Sequence, residues 1–144
     1  MHALRLYVFD RLVQRRAELV TLAREIPGTS IVGSTDIVPI IATEVRALQP
    51  DVIVVGLHPN DSIGPGLVAD LRGDCPAATI IVLAEYHQTR FGAYCTSAGA
   101  DHVIARDARL DALREVLRSL LPPPAVPTVE PAEAEIERQG ALAS

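Results

Sequence analysis

Residues 50–59 read Pro-Asp-Val-Ile-Val-Val-Gly-Leu-His-Pro, and this stretch decides the fold. Four branched apolar residues, Val52 to Val55, are bounded by an Asp on one side and by Gly and Pro on the other, which predicts a buried strand. In a parallel α/β sheet, ligands and reactive groups lie just beyond the carboxyl ends of such strands. Gly56 stands at that point, so the position where chemistry is expected has no side chain.

The rest of the chain alternates strand patterns with helix patterns. Strands are predicted at 4–9, 29–33, 52–55, 79–83 and 101–105, and helices at 11–26, 36–48, 66–72, 87–98 and 109–121. Ser34 or Thr35 is the expected cap of the second helix. Strands joined by helices run parallel with right-handed crossovers. Five such units predict a flavodoxin-like (βα)5 fold, a doubly wound parallel sheet with strand order 2-1-3-4-5.

The composition changes after Leu121. Residues 122–131 hold five of the 11 prolines of the chain, which is typical of a semi-rigid spacer. Residues 132–144 are acidic and too few to form a domain. The sequence therefore predicts one domain over residues 1–121 and a Pro-rich acidic linker or tail over residues 122–144.

Charge and composition exclude several functional classes. All 13 basic residues are Arg, so chemistry that depends on Lys is excluded, and a net charge of −5 argues against a nucleic-acid-binding surface. Cys75 and Cys95 have neither metal-ligand nor disulfide spacing, and no apolar run reaches the roughly 20 residues that span a bilayer. No nucleophile–base constellation is visible. We expect a cytoplasmic protein that is not an enzyme and needs no metal, cofactor or membrane.

Several short motifs occur in a fixed order along the chain. They are Pro27 to Gly33 at the second strand, Gln49-Pro50-Asp51 before the third, Gly64 in the next loop, and Ala98-Gly99-Ala100-Asp101 before the fifth. In this order and spacing, residues 3–121 resemble the CheY-like receiver domains of response regulators, and most closely the LuxR/NarL-type branch. The resemblance implies a role in two-component signal transduction.

The positions that carry receiver chemistry are altered in this chain. The resemblance places the metal-binding acidic pair at Phe9-Asp10, the phosphoacceptor at Gly56, the conserved hydroxyl at Ala84, the conserved Lys at Arg106 and the aromatic switch at Val103. Among these positions only Asp10 keeps the usual residue type. Phosphoryl transfer needs the accepting carboxylate and a metal that offsets charge, and one carboxylate is a poor Mg²⁺ cage. The sequence thus predicts a degenerate pocket, a pseudo-receiver that is not phosphorylated.

Asp10 and Arg106 admit two interpretations. Both follow predicted strands and are expected beside the altered site, where the guanidinium offers a fork of donors to the carboxylate. An ion pair between them would take the place of metal and phosphate and fix one conformation. Alternatively, Asp10 caps the first helix.

The resemblance also implies a surface for dimerisation and partner docking, formed by the fourth helix, the fifth strand and the fifth helix. Tyr94, Arg114 and Arg118 are expected on it. Arg114 and Arg118 are four residues apart and share one side of the last helix, where like charges repel. Asp101 and Asp107 of a second copy are candidate partners for them. An ordinary solvated helix surface is equally consistent with this pattern.

Three functional classes remain open. The first is a binding module that signals by protein–protein contact or as a homodimer, and regulates a tethered output such as a LuxR-type DNA-binding domain or a pilus-assembly ATPase of the CpaE/TadZ kind. The second is a small-ligand sensor that uses an apolar pocket lined by Phe9, Gly56 and Ala84, unless Phe9 fills that pocket. The third, an enzyme, lacks any visible constellation of catalytic residues.

Overall fold

The computed structural model describes residues 3–58, 64–84, 89–107 and 109–121. The predicted tail at 122–144 and the first residues of the predicted helix at 87–98 lie outside these ranges. The strands are β1 (Leu4–Phe9), β2 (Thr29–Thr35), β3 (Val52–Leu57), β4 (Thr79–Ala84) and β5 (His102–Ala105). The helices are α1 (Val13–Arg24), α2 (Val38–Leu48), α3 (Gly64–Asp74), α4 (Thr89–Ala98) and α5 (Asp111–Leu120).

The strands form one parallel sheet. Its order is β2-β1-β3-β4-β5, and the (βα)5 doubly wound topology is the one that the sequence predicts. Phe9 at the end of β1 pairs with Thr35 and Val55, and Ala84 at the end of β4 pairs with Leu57 and Ala105. The carboxyl ends of all five strands therefore meet at one edge of the sheet.

Two apolar cores lie on the two faces of the sheet. Side chains alternate along each strand, so Phe9 packs with α2, α3 and α4 whereas Val8 packs with α1 and α5. Ile41 of α2 belongs to the core on the first face, and Leu22 of α1 and Leu117 of α5 belong to the core on the second face. Every residue of β3 is buried because helices cover both faces of this central strand. No helix in the described ranges is long and apolar enough to cross a membrane.

Two element boundaries differ from the prediction in ways that concern the carboxyl edge. β3 continues through Gly56 and Leu57, which pair with β4, so Gly56 lies inside the strand. The polar cap predicted for α2 was wrong: Leu12 and Ile37 occupy the N-cap positions of α1 and α2, and neither helix has a side-chain cap. Thr35 instead accepts a hydrogen bond from Ile37 N at its Oγ1, at 3.2 Å, which closes the turn before α2.

Arg72 organises the opposite, amino edge of the sheet. Its guanidinium donates to the carbonyls of Ala78 (2.7 Å) and Gly99 (2.8 Å) and to Asp101 Oδ2 (2.6 Å). The same carboxylate oxygen accepts from Ile80 N at 2.9 Å. One planar fork therefore ties the end of α3 to the turns before β4 and β5.

Candidate functional site

The carboxyl edge of the sheet brings together the positions that the resemblance marks. Asp10 follows β1, Gly56 is the fifth residue of β3, Ala84 ends β4, and Arg106 follows β5. Arg106 N donates to the Ala84 carbonyl at 2.8 Å, and Asp10 N donates to the Thr35 carbonyl at 3.3 Å. Backbone pairing thus holds these residues in fixed relative positions.

Asp10 occupies the space that a side chain at position 56 would need. A Cβ atom built on Gly56 would lie 2.8 Å from Asp10 Cγ, and closer still to Oδ2. Asp10 is almost completely buried, at 4% exposure. The carboxylate of β1 therefore lies directly against the backbone of β3, and only Gly at position 56 leaves room for it.

The two carboxylate oxygens of Asp10 have different partners, and the predicted helix cap was wrong, because Leu12 is the N-cap residue of α1 and no side chain caps that helix. Oδ1 accepts a hydrogen bond from Leu12 N at 2.9 Å, which orders the turn before α1. Oδ2 lies 4.0 Å from Arg106 Nη1, so the predicted ion pair is present at a long distance. Asp10 is thus held by the backbone on one side and by a cation on the other.

Arg106 has a closer partner that the sequence analysis missed. Its Nη2 lies 2.6 Å from Glu18 Oε1, a carboxylate on the exposed side of α1. The Arg106 side chain is largely buried between the two acids. The topology carries the signal that could have identified Glu18, because a doubly wound fold places α1 and α5 on one face and brings α1 near the end of β5.

A cleft of about 550 Å³ opens beside this cluster. Its lining combines backbone and polar groups with two apolar side chains: Asp10, Arg11, Leu12, Arg15, Gly56, Leu57 and His58. Phe9 and Ala84 do not line it, because both are buried in the core on the α2–α4 face. Of the three residues predicted to line an apolar pocket, only Gly56 lines this cleft, and the pocket at Phe9, Gly56 and Ala84 stays a prediction. Strand alternation sends Phe9 to one face of the sheet and leaves Asp10 at the edge.

The receiver resemblance implies Mg²⁺, and the residues here do not fit that ion. Mg²⁺ requires near-octahedral oxygen ligands and is usually held by more than one acidic group with its waters. Asp10 supplies one carboxylate, whose oxygens already face Leu12 N and Arg106. The described residues contain no group of three or more His, Cys, Asp and Glu side chains that could hold a metal.

Comparison with solved structures agrees with this architecture. The signal receiver domain of the response regulator NarL from Mycobacterium tuberculosis aligns with a TM-score of 0.71 at 17% identity, covering 83% of this chain and 97% of that one. A LuxR-family two-component response regulator from Aurantimonas gives 0.73 at 19% identity, covering 81% and 84%. A pilus assembly-related protein from Burkholderia pseudomallei gives 0.70 at 15% identity, covering 81% and 87%. The chain has the receiver fold. No protein-family model and no curated protein matches its sequence.

The residue that the resemblance places at an aromatic switch is Val103, an aliphatic side chain. Val103 is half-buried on β5 and packs against the α2–α4 core. A Cβ atom built on Gly92 of α4 would lie 3.5 Å from Val103 Cγ1, so helix and strand approach closely at this point. Val103 is held by packing, and its side chain has no polar group that could form a hydrogen bond at the site.

The candidate interface residues are partly engaged within the chain. Tyr94 is 57% exposed on α4, and Arg118 is exposed on α5. Arg114 lies 3.0 Å from Glu25 of α1 through Nη1, so its charge is balanced inside the chain. Asp101 is bound by the guanidinium at the amino edge described above.

Asp107 also has a local role. Its Oδ1 accepts hydrogen bonds from Arg109 N and Asp111 N, both at 3.0 Å, at the start of α5. These backbone hydrogen bonds, chiefly the one from Asp111, hold the pKa of the Asp107 carboxyl below its usual value. The second-copy pairing predicted for Asp101 and Asp107 is therefore not needed to explain these carboxylates.

Proposed function

We propose that this domain is a pseudo-receiver that does not accept a phosphoryl group and signals by protein–protein contact. The observation that supports it best is the position of Asp10, whose carboxylate lies against Gly56 where the side chain of a phosphoacceptor would begin. Gly56 offers no nucleophile, and Asp10 is held by Leu12 N and Arg106. The domain is non-enzymatic and acts in the cytoplasm.

The cluster of Asp10, Arg106 and Glu18 fixes one conformation. In an ordinary receiver, the resemblance implies that metal and phosphoryl charges shift the balance between two states. Here the internal cation takes their place, and its two acidic partners join the ends of β1 and β5 to α1. Contacts to partners are then constitutive and depend on expression or on binding equilibria.

The output of the domain is a tethered protein. A LuxR-type transcription regulator is the first candidate, in line with the LuxR-family response regulators among the similar structures. An ATPase of the pilus-assembly kind is the alternative, in line with the pilus assembly-related protein. In either case the domain itself binds protein, as a homodimer or with another chain, and does not bind nucleic acid.

A small-ligand sensor is the second candidate function. The cleft beside Asp10 favours it, and the charged lining from Arg11, Arg15 and His58 changes the expected ligand from an apolar molecule to a polar one. The titration below distinguishes constitutive contact from ligand binding. Amide signals around a ligand-binding cleft shift when anions are added, whereas those around a fixed cluster of Asp10, Arg106 and Glu18 do not.

The decisive experiment is a backbone-amide NMR titration with Mg²⁺ and then with beryllofluoride, a phosphoryl mimic. We expect no saturable shifts at Asp10, Gly56 and Arg106. The matched control is Asp10→Asn, which removes the carboxylate beside Gly56, and a competent receiver in the same buffers checks the reagents. Saturable shifts in the wild type that disappear in Asp10→Asn would overturn the proposal. A separate titration with inorganic phosphate tests the sensor, and amide shifts that persist in Asp10→Asn would support it.

Oligomeric state tests the homodimer. Sedimentation over a concentration series is expected to show a reversible dimer that weakens in Tyr94→Ala, since Tyr94 is a large apolar side chain exposed on α4. Glu115→Gln, on the exposed surface of α5, is the control. A monomer at every concentration would leave contact with a different protein as the mode of signalling and would exclude self-association.

A further inference from the structure

The outer face of α2 is apolar. Of the 11 residues of this helix, all are apolar except Thr43, Glu44 and Arg46. Ile41 is buried against the sheet, whereas Ile40 and the residues three and seven positions after it are exposed on the other side. A surface helix ordinarily carries charged or polar residues on its outward face. The outward face of α2 departs from that pattern, as the surface of an interaction site does.

The three polar side chains of α2 are already bound within the chain. Glu44 accepts a hydrogen bond from the Tyr7 hydroxyl. Arg46 Nε lies 3.3 Å from Asp74 Oδ1 on α3. Thr43 Oγ1 donates to a carbonyl of its own helix at 3.3 Å. An apolar surface is therefore the partner that matches the outer face of α2.

The neighbouring helix α3 has an outer face of small residues. Gly66, Ala69 and Gly73 are exposed on it, three and four positions apart, whereas Leu71 is buried. A Cβ atom built on Gly66 or Gly73 meets no atom within 4 Å, and neither glycine has a positive φ. The described chain thus has no need of glycine at these two positions, although glycine destabilises a helix relative to alanine.

The two outer faces form one surface, because the ion pair between Arg46 and Asp74 joins α2 to α3 side by side. We call it the α2–α3 surface, and its members are Ile40, Thr43, Ala47, Gly66, Ala69 and Gly73. The larger side chains make a ridge on α2, and the small residues leave a recess along α3. Both helices have 11 residues, so the ridge and the recess have the same length.

Shape and charge favour a second copy of this chain as the occupant. In a two-fold dimer, contacts between two different parts of one surface occur twice, so each ridge can lie in the recess of the other copy. Charge is complementary in the same way. The Arg46 side chain is 64% exposed, and Asp70 is exposed on α3 with no oppositely charged partner within the described ranges.

The size of the surface favours a weak dimer. Two adjacent helices of this length, about 16 Å long and about 10 Å apart, cover a footprint of about 16 by 20 Å. Stable complexes bury roughly 800 Å² on each partner, which is more than this footprint supplies. Association is therefore expected to be reversible and to depend on concentration.

We propose that the α2–α3 surface binds a second copy of this chain, with the α2 ridge of each copy in the α3 recess of the other. Ile40 then contacts the partner subunit's Gly66, and Arg46 lies beside the partner subunit's Asp70. This inference rests on the proposed homodimer and names its surface. Tyr94 belongs to α4, which packs on the same face of the sheet as α2 and α3, so both predictions concern one side of the domain.

The test is sedimentation of the full chain over a concentration series, with the double variant Gly66→Gln, Gly73→Gln. Two longer side chains fill the recess, so we expect association more than tenfold weaker than in the wild type. Glutamine is a better helix former than glycine, so urea unfolding of the dilute variant should have a higher midpoint. The matched control Thr21→Gln, Ser119→Gln adds the same side chains to the exposed surfaces of α1 and α5 and should leave association unchanged.

The outcomes separate this surface from the homodimer itself. A dimer of unchanged strength in the α3 variant would overturn the surface and leave the homodimer standing, whereas a monomeric wild type would overturn both. A lower unfolding midpoint in the α3 variant would show that the glycines serve the fold of the single chain, which also contradicts the proposal. None of these results affects the Mg²⁺ and beryllofluoride titration.

Disulfide cross-linking tests the arrangement of the two copies. Cys75 and Cys95 are buried, so cysteines introduced on the surface react first. Chains carrying Ile40→Cys, mixed with chains carrying Gly66→Cys, are expected to form a cross-linked dimer under mild oxidation, and neither variant alone should do so. Equal cross-linking of either variant by itself, or none in the mixture, would refute the packing of ridge into recess.

Discussion

The substitution Gly56→Ala tests the close approach of Asp10 to β3. Gly56 has no positive φ, so its backbone accepts Ala, and a Gly→Ala change at such a position ordinarily stabilises a protein by about 0.4–1 kcal/mol through the unfolded state. Here the new Cβ would meet Asp10, with Cγ at 2.8 Å. The carboxylate must rotate away and give up its hydrogen bond from Leu12 N, a charged interaction worth about 1.5–3 kcal/mol. We expect a net loss of about 2 kcal/mol in the free energy of unfolding.

A double-mutant cycle isolates this contact. In the Asp10→Ala background the obstruction is gone, and Gly56→Ala should be neutral or stabilising by up to about 1 kcal/mol. The assay is urea unfolding of the four proteins, with equal slopes as the condition for comparison. Gly66→Ala is the control, because no atom lies within 4 Å of its Cβ position on α3 and the change should stabilise by about 0.5–1 kcal/mol. An equal effect of Gly56→Ala in both backgrounds would refute the reasoning.

Three other predictions concern the framework around the site. Arg72→Lys loses the planar fork that binds three acceptors, and it should lower the free energy of unfolding by about 2 kcal/mol. The control Arg118→Lys, on the exposed surface, should change that free energy little. Urea unfolding measures both variants. Burial and the hydrogen bond to Glu44 raise the pKa of Tyr7. The stability that neutral Tyr7 contributes is therefore present below about pH 10 and should fall as the pH rises further. In a pH series of unfolding midpoints, Tyr7→Phe should show a smaller decrease in stability above about pH 10 than the wild type. The pKa of Asp107 is lowered, so its contribution is present above about pH 4 and is lost at lower pH; Asp107→Ala should lower the melting temperature at pH 7 and match the wild type near pH 2.

The architecture could be predicted from the sequence because its signals are local and repeated. Alternating strand and helix patterns, with the apolar run at Val52 to Val55, led to the (βα)5 order that the sheet adopts. Helix starts were less predictable, since Leu12 and Ile37 occupy caps where polar residues are the general preference. The side chains of Leu12 and Ile37 are exposed, and two turns that are distant in the sequence bring them to the same edge of the sheet. The sequence alone does not show that arrangement.

The sequence could indicate which residues lie near one another at the candidate site, but not how their side chains are arranged. Alignment of short motifs brought Asp10, Gly56 and Arg106 together, and the pair between Asp10 and Arg106 is present. Glu18 was missed because it is 88 residues away from Arg106 along the chain. The sequence alone did not tell which face of the sheet receives Phe9, and the structure places it in the core with α2, α3 and α4.

The contact between Asp10 and Gly56 also constrains how this site can change over generations. A single substitution Gly56→Asp would place a second carboxylate in space that Asp10 already fills, so it would meet both a steric obstruction and a like charge. A prior change at Asp10 would remove both obstacles, but that change releases Arg106 from one of its two acidic partners. Either first step is expected to lower stability, since Gly56→Asp displaces the Asp10 carboxylate and a change at Asp10 removes the acceptor of Leu12 N. The packing of one side chain therefore makes the introduction of an acidic residue at position 56 depend on the order of mutations.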